Sequence, residues 1–162
     1  MSSYRPVMAS GYLIDTNVIS ELRRRQPEPR VVEWFERRPA RMLYLSVLSL
    51  GEIRRGVERL ADGQRAQALR SWLEEELPAW FHGRLLPIDM AVADQWGRLQ
   101  AEAGRPLPAI DSLLAATART HDLILTTRNV RDLVGLPVVL VNPWDGDGDP
   151  PARSPASPTV GV

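Results

Sequence analysis

Short apolar runs recur along the chain at 12–15, 42–46, 85–88, 123–126 and 138–141, each too brief for a helix. They lack polar alternation, as strands buried on both faces do. Between them the apolar positions return every three or four residues. Stretches 16–24 and 30–38 read as two helices broken by Pro27 and Pro29, and 47–60 carries Leu50, Ile53, Val57 and Leu60 on one stripe. The stretch 64–80 reads as one helix with Leu69, Trp72, Leu73, Leu77 and Trp80 aligned; 91–103 ends at Gly104, and 111–120 ends before a strand. Strands alternating with helices, joined by connections too long for hairpins, predict an α/β fold. Its centre is a parallel sheet of about five short strands, with helices on both faces.

Composition narrows the chemistry. With 162 residues the chain is expected to form one domain with a true core. It has no cysteine, which excludes thiol nucleophiles and zinc–thiolate sites. The N-terminus lacks the apolar stretch of a signal peptide, and no apolar run nears the roughly 20 residues of a spanning helix. A cytoplasmic protein away from membranes is the expectation. Formal net charge is zero, so bulk charge does not point to nucleic acid. All twenty basic residues are arginines, clustered at Arg23–Arg25, Arg37–Arg41 and Arg54–Arg59. Guanidinium suits phosphate because its planar fork binds two oxygens, although such clusters also lie on solvated helix faces. The absence of lysine removes P-loop and Schiff-base chemistry.

Three acids stand where a parallel sheet concentrates its chemistry, beyond the carboxyl ends of the strands. Asp15 ends the first strand, Glu52 sits on the helix after the second beside Gly56, and Asp111 opens a helix whose Leu114, Ala115 and Ala118 point inward. Each also has a structural reading: Asp15 and Asp111 as helix N-caps, Glu52 as a solvated side chain. If the sheet brings them together, their mutual repulsion calls for a cation. Magnesium or manganese fits, being a hard ion that takes oxygen ligands and leaves room for phosphate. The Asp-Gly run at 145–149 lacks the Gly and Glu that a calcium loop requires, having Pro150 and Ala156 at those places.

Four segments in order, "LIDTNVISEL", "YLSVLSLGEIRRGV", "PAIDSLLAATARTHDLILTTRNVRDL" and "VVLVNPW", resemble the PIN-domain ribonuclease toxins of the VapC and FitB type. The resemblance spans about residues 11 to 144. It implies a PIN-like three-layer fold and a Mg²⁺-dependent (or Mn²⁺-dependent) endoribonuclease. It further implies a homodimer neutralised by a small VapB- or FitA-like antitoxin, reaching operator DNA only through that antitoxin. Roles at the metal are implied for Asp15, Glu52 and Asp111, with polar support from Thr16, Asn17 and Thr126. The expected organisation is a flexible N-terminus at 1–10, the nuclease domain at 11–144 and a disordered Pro/Gly-rich tail at 145–162.

One position departs from the family pattern. A fourth acid commonly follows the arginine of the "TR" pair, and here that place is Asn129, whose amide can ligate but carries no charge. Asp132, three residues on, is expected to cap or make a surface contact, with compensation for Asn129 as the alternative. The rival function is a catalytically weak module that acts by binding its antitoxin and, through it, operator DNA. A haloacid-dehalogenase phosphatase is disfavoured, since Asn17 stands where its second aspartate belongs and its lysine is missing.

Overall fold

In the computed structural model, which describes residues 11–146, five parallel strands form one sheet in the order β3-β2-β1-β4-β5. They are β1 Tyr12–Ile14, β2 Leu43–Ser46, β3 Leu85–Leu86, β4 Ile124–Thr126 and β5 Leu140–Val141. All five predicted strands are present, trimmed by up to two residues at an end. The expected flexible N-terminus, nearly all of the expected tail and most of the Asp-Gly run lie outside the described residues. Asp145 belongs to the fold, closing a 3₁₀ turn at Pro143–Asp145.

Strand parity builds the three layers. On β1, Tyr12 and Ile14 join Leu43 and Leu45 in one core, whereas Leu13 joins Leu125 in the other. The first core is covered by α1 Thr16–Glu21, α2 Pro29–Glu36, α3 Val47–Glu58, α4 Gln64–Ser71 and α5 Leu77–Trp80. The second is covered by α6 Met90–Ala103 and α7 Ala109–Thr120, with four buried residues of α7 in it. Every residue of β1 is buried, so the central strand could not have carried polar alternation.

Local chemistry moves several helix ends from their predicted places. The first helix stops at Glu21 because that side chain is buried and its carboxylate accepts from Glu28 N–H at 3.1 Å, folding 22–28 back. The predicted single helix 64–80 contains a π turn at Trp72–Glu76, where Leu77 N–H reaches back to the Trp72 carbonyl. Pro78 supplies the reason: it has no N–H to donate and its ring crowds the carbonyl four residues back. The last long helix begins at Ala109 after Pro108, so Asp111 lies inside the first turn instead of capping it. At the start of β1, Gly11 admits no side chain, since a Cβ there would stand 2.4 Å from the Met42 carbonyl oxygen.

The tryptophans divide between core and surface. Trp34 and Trp72 are buried, Trp96 packs on the second core and donates to Ser112 Oγ at 3.0 Å, and Trp80 is 41% exposed. His121 ends α7, and His82 lies exposed in the turn after α5. Among the described residues, no helix is long and apolar enough to cross a membrane.

Candidate active site

The sheet register delivers the first acid. Tyr12, Leu13 and Ile14 pair with Ile124, Leu125 and Thr126, and Asp15 continues the ladder by donating its N–H to the Thr126 carbonyl at 2.9 Å. The next lateral neighbour of Asp15 is therefore Thr127, not Thr126. The Thr127 hydroxyl donates to Asp15 Oδ2 at 2.7 Å and accepts from Asn129 N–H at 3.0 Å. Asp15 Oδ1 accepts from Thr16 N–H at 2.6 Å, and Asn17 Nδ2 stands 3.3 Å from Oδ2. Asp15 thus fills the N-cap position of α1, as its structural reading requires, while three neighbouring groups fix its carboxylate.

Glu52 comes in from α3. Its Oε1 accepts from the Thr16 hydroxyl at 2.7 Å, and that hydroxyl also bonds to Ser49 Oγ at 2.8 Å. One turn of α1 therefore touches two acids through adjacent residues. Asp111 enters from the opposite layer on α7, with the Asn129 side chain against it favouring its charged form. Asp132 acts on Asp111 as a like charge more strongly than Glu52 does, and its backbone carbonyl accepts from Arg105 at 3.0 Å. Asp132 makes no cap on its own 3₁₀ turn, whose N-cap is Asn129. The buried Thr126 hydroxyl finds no partner among the described residues.

The electrostatics tie these acids together. Asp15 is 5% exposed, and its carboxyl is pushed up to about 6. Burial is the first cause; the Thr127 and Thr16 hydrogen bonds oppose it, while the Asp111 and Glu52 charges reinforce it. Asp111 is raised too, by burial and then by Asp132 and Glu52. Among the described residues, none of Asp15, Glu52 and Asp111 has an arginine in salt-bridge contact. Nor do three acidic or histidine side chains converge closely enough to enclose an ion as they stand. The donor set nonetheless fits a hard divalent cation in kind: oxygen ligands alone, from both layers, with a repulsion that positive charge would relieve.

Four contributors escaped the sequence reading: Thr127, Ser49, Arg128 and Trp144. Arg128 N–H meets Asn17 Oδ1 at 3.4 Å, and its guanidinium lies 4.9 Å from the centroid of the Trp144 ring. The doubled threonine of "TTRN" was the one visible signal, and choosing between its members needs the register of two strands far apart in sequence. Beside Glu52 an open groove runs over α1, α3 and α4, lined by Ser20, Arg23, Gly56, Arg65, Leu69 and Trp72 among others.

Known proteins share this fold and much of its sequence. The PIN-domain family profile matches residues 12–133. Toxin FitB of Neisseria gonorrhoeae is 38% identical over 135 residues, covering 82% of this chain and 97% of that protein. The VapC ribonuclease Y4jK of Sinorhizobium fredii is 32% identical over 136 residues, 82% of this chain and 97% of that one. The solved structure of FitAB bound to an IR36 DNA fragment superposes with a TM-score of 0.76 at 35% identity, covering 82% of this chain and 95% of that chain. With its fold, the acid at the end of its central strand and its likeness to FitB and VapC over 82% of its length in agreement, the chain belongs to the PIN-domain family, in the branch of the FitB- and VapC-type toxins.

Proposed function

We propose that the chain is the toxin of a type II toxin–antitoxin pair and works as a divalent-metal-dependent endoribonuclease. The observation that carries this reading is Asp15: a buried carboxylate at the carboxyl end of the central strand, with no basic side chain against it among the described residues, and repelled by two further acids from opposite layers. Asp15, Glu52 and Asp111 would hold Mg²⁺ or Mn²⁺, with Asn129 and Asp132 as neutral and charged supports. When bound, such an ion supplies water activation and charge neutralisation at a phosphodiester.

The remaining work belongs to the chain. Thr127, Thr16 N–H and Asn17 aim the Asp15 carboxylate, and the Thr16 hydroxyl aims Glu52. Asn129 lies against Asp111 without adding a charge, which favours one ion over two. Departure of the 3′ oxygen from the attacked phosphate leaves a 5′ phosphate on the downstream fragment. Single-stranded or looped RNA suits an open site of this kind, because its bases and backbone are not held in a duplex.

The partner reading rests on the groove. Its lining is apolar at Leu69 and Trp72 and includes Glu52 and Thr16 of the acidic site. A VapB- or FitA-like antitoxin segment would lay hydrophobic side chains over Trp72 and place a basic residue near Asp15 and Asp111, in competition with the metal. Binding to operator DNA would then go through the antitoxin, and FitAB is a relative solved on DNA. The acids' lack of close convergence favours a second reading, a module with weak catalysis that acts mainly through its antitoxin. One assay separates the two: cleavage of a fluorescent single-stranded RNA by wild type and Asp111→Asn, with Mg²⁺ and with excess EDTA. Metal-dependent cleavage lost in the mutant supports the nuclease; partner binding without any cleavage supports the module.

A further inference from the structure

Arg128 occupies an unusual place for a cation. Its neighbours in the chain, Thr127 and Asn129, are the residues that touch Asp15 and Asp111, and its own N–H meets Asn17. The backbone of Arg128 is thereby pinned at the rim of the acidic site. A guanidinium on a flexible stem whose chain neighbours touch such acids would ordinarily be drawn to the carboxylates. Here it forms no ion pair among the described residues and lies instead over the indole of Trp144.

Trp144 is built to hold it. The 3₁₀ turn that carries Trp144 is capped by Asn142, whose Oδ1 accepts from Trp144 N–H at 3.0 Å. From α2, Arg30 donates to the Trp144 carbonyl at 3.0 Å, fixing the turn from the other side. The half-buried ring packs against the first core while its face meets Arg128. The result is charge segregation: acids free of arginine on one side and, beside them, an exposed guanidinium whose hydrogen-bonding edge is not used by any carboxylate among the described residues. Stacking on an aromatic face leaves the five N–H donors of an arginine available in its plane.

We propose that Arg128 binds a backbone phosphate of the RNA strand next to the one that is cleaved, and that Trp144 is a positioning residue that holds the guanidinium off the acids. The inference rests on the ribonuclease reading for its substrate, but not for the role of Trp144. Two consequences follow from the geometry. Loss of Arg128 removes one phosphate contact and leaves the acids unchanged. Loss of Trp144 releases Arg128 onto the acids, where it neutralises them and competes with a divalent ion.

The test uses the full chain and a fluorescent single-stranded oligoribonucleotide. Arg128→Gln, at an exposed position, is expected to raise KM several-fold with little change in kcat. It should also lower the slope of log affinity against log salt by about 0.7, the value for one phosphate on a single strand. Trp144→Leu is expected to raise KM similarly and to weaken Mn²⁺ binding in calorimetry. The double variant should recover wild-type Mn²⁺ affinity while keeping the raised KM. Unchanged KM and salt slope in Arg128→Gln, with wild type active, overturns the phosphate contact. Equal Mn²⁺ affinity in wild type and folded Trp144→Leu overturns the positioning role, and Arg128→Gln alone decides the proposal if Trp144→Leu does not fold. Were wild type to cleave no RNA, the ribonuclease reading would fall, while the Mn²⁺ cycle would still judge Trp144.

Discussion

Burial and two like charges push the Asp15 carboxyl up to about 6 from 3.8, so without metal the folded protein binds a proton that the unfolded chain releases. The sign follows from linkage: between about pH 4 and pH 6 the folded state holds more protons, and stability falls as pH rises. Below that window Asp15 is neutral in both states and costs nothing; above it the penalty is complete, at about 3 kcal/mol. Asp15→Asn is therefore expected to raise the melting temperature of the metal-free protein at pH 7.5 and leave it nearly unchanged at pH 4, while removing RNA cleavage. A lower melting temperature at pH 7.5 would show that capping of α1 dominates. The paired threonines offer a second residue-scale contrast. Thr126 buries a hydroxyl with no partner among the described residues, so Thr126→Val is expected to be neutral or stabilising by about 1 kcal/mol. Thr127→Val strips the strongest hydrogen bond opposing the rise of Asp15, and should shift the acid limb of the activity profile to higher pH. Denaturant titrations and a pH–rate series check both.

The elements are held to one another by close backbone approach as much as by apolar packing. Gly11 precedes β1, and its carbonyl accepts from Ile124 N–H at 3.0 Å on one side while the Met42 carbonyl crowds it on the other. Neither neighbour is the flexible end of a side chain. Gly11→Ala is thus expected to destabilise the fold by about 1–3 kcal/mol, because β1 must shift between β2 and β4 to admit one carbon. Urea unfolding measures it, and a change under 0.5 kcal/mol would show that the start of the central strand yields easily. The opposite case is Gly56 on α3, where a Cβ meets nothing within 4 Å and the position lines the groove. Gly56→Leu is expected to keep or raise stability through helix propensity, by about 1 kcal/mol or less.

At the scale of the molecule the groove and the acidic site are neighbours that share Thr16 and Glu52, so occupancy of one bears on the other. Gly56→Leu fills the groove without entering the hydrogen bonds around Asp15. It is expected to weaken antitoxin binding at least tenfold and to leave metal-dependent RNA cleavage within twofold of wild type. In cells this variant should stay toxic when the antitoxin is co-expressed, whereas wild type should be rescued. Rescue of both would place the antitoxin on another surface.

Much of this molecule was legible along the chain. Short runs without polar alternation, spaced between helical patterns, read as strands of a covered sheet, and an acid directly after such a strand stands at the sheet's carboxyl end. Asp15, Glu52 and Asp111 could therefore be picked out by position, and the four motifs gave the family. Helix ends were less legible where a single side chain set them, as Glu21 and Pro78 do, because propensity sums over a stretch and a buried hydrogen bond or a missing N–H acts at one point. What only the tertiary structure decided was lateral: that Thr127 rather than Thr126 lies beside Asp15, that Asp132 acts on Asp111 from a neighbouring turn, and that Arg128 rests on Trp144. Each depends on the register between segments remote in sequence. That register is fixed by how two cores pack against opposite faces of one sheet, a property that no local pattern carries.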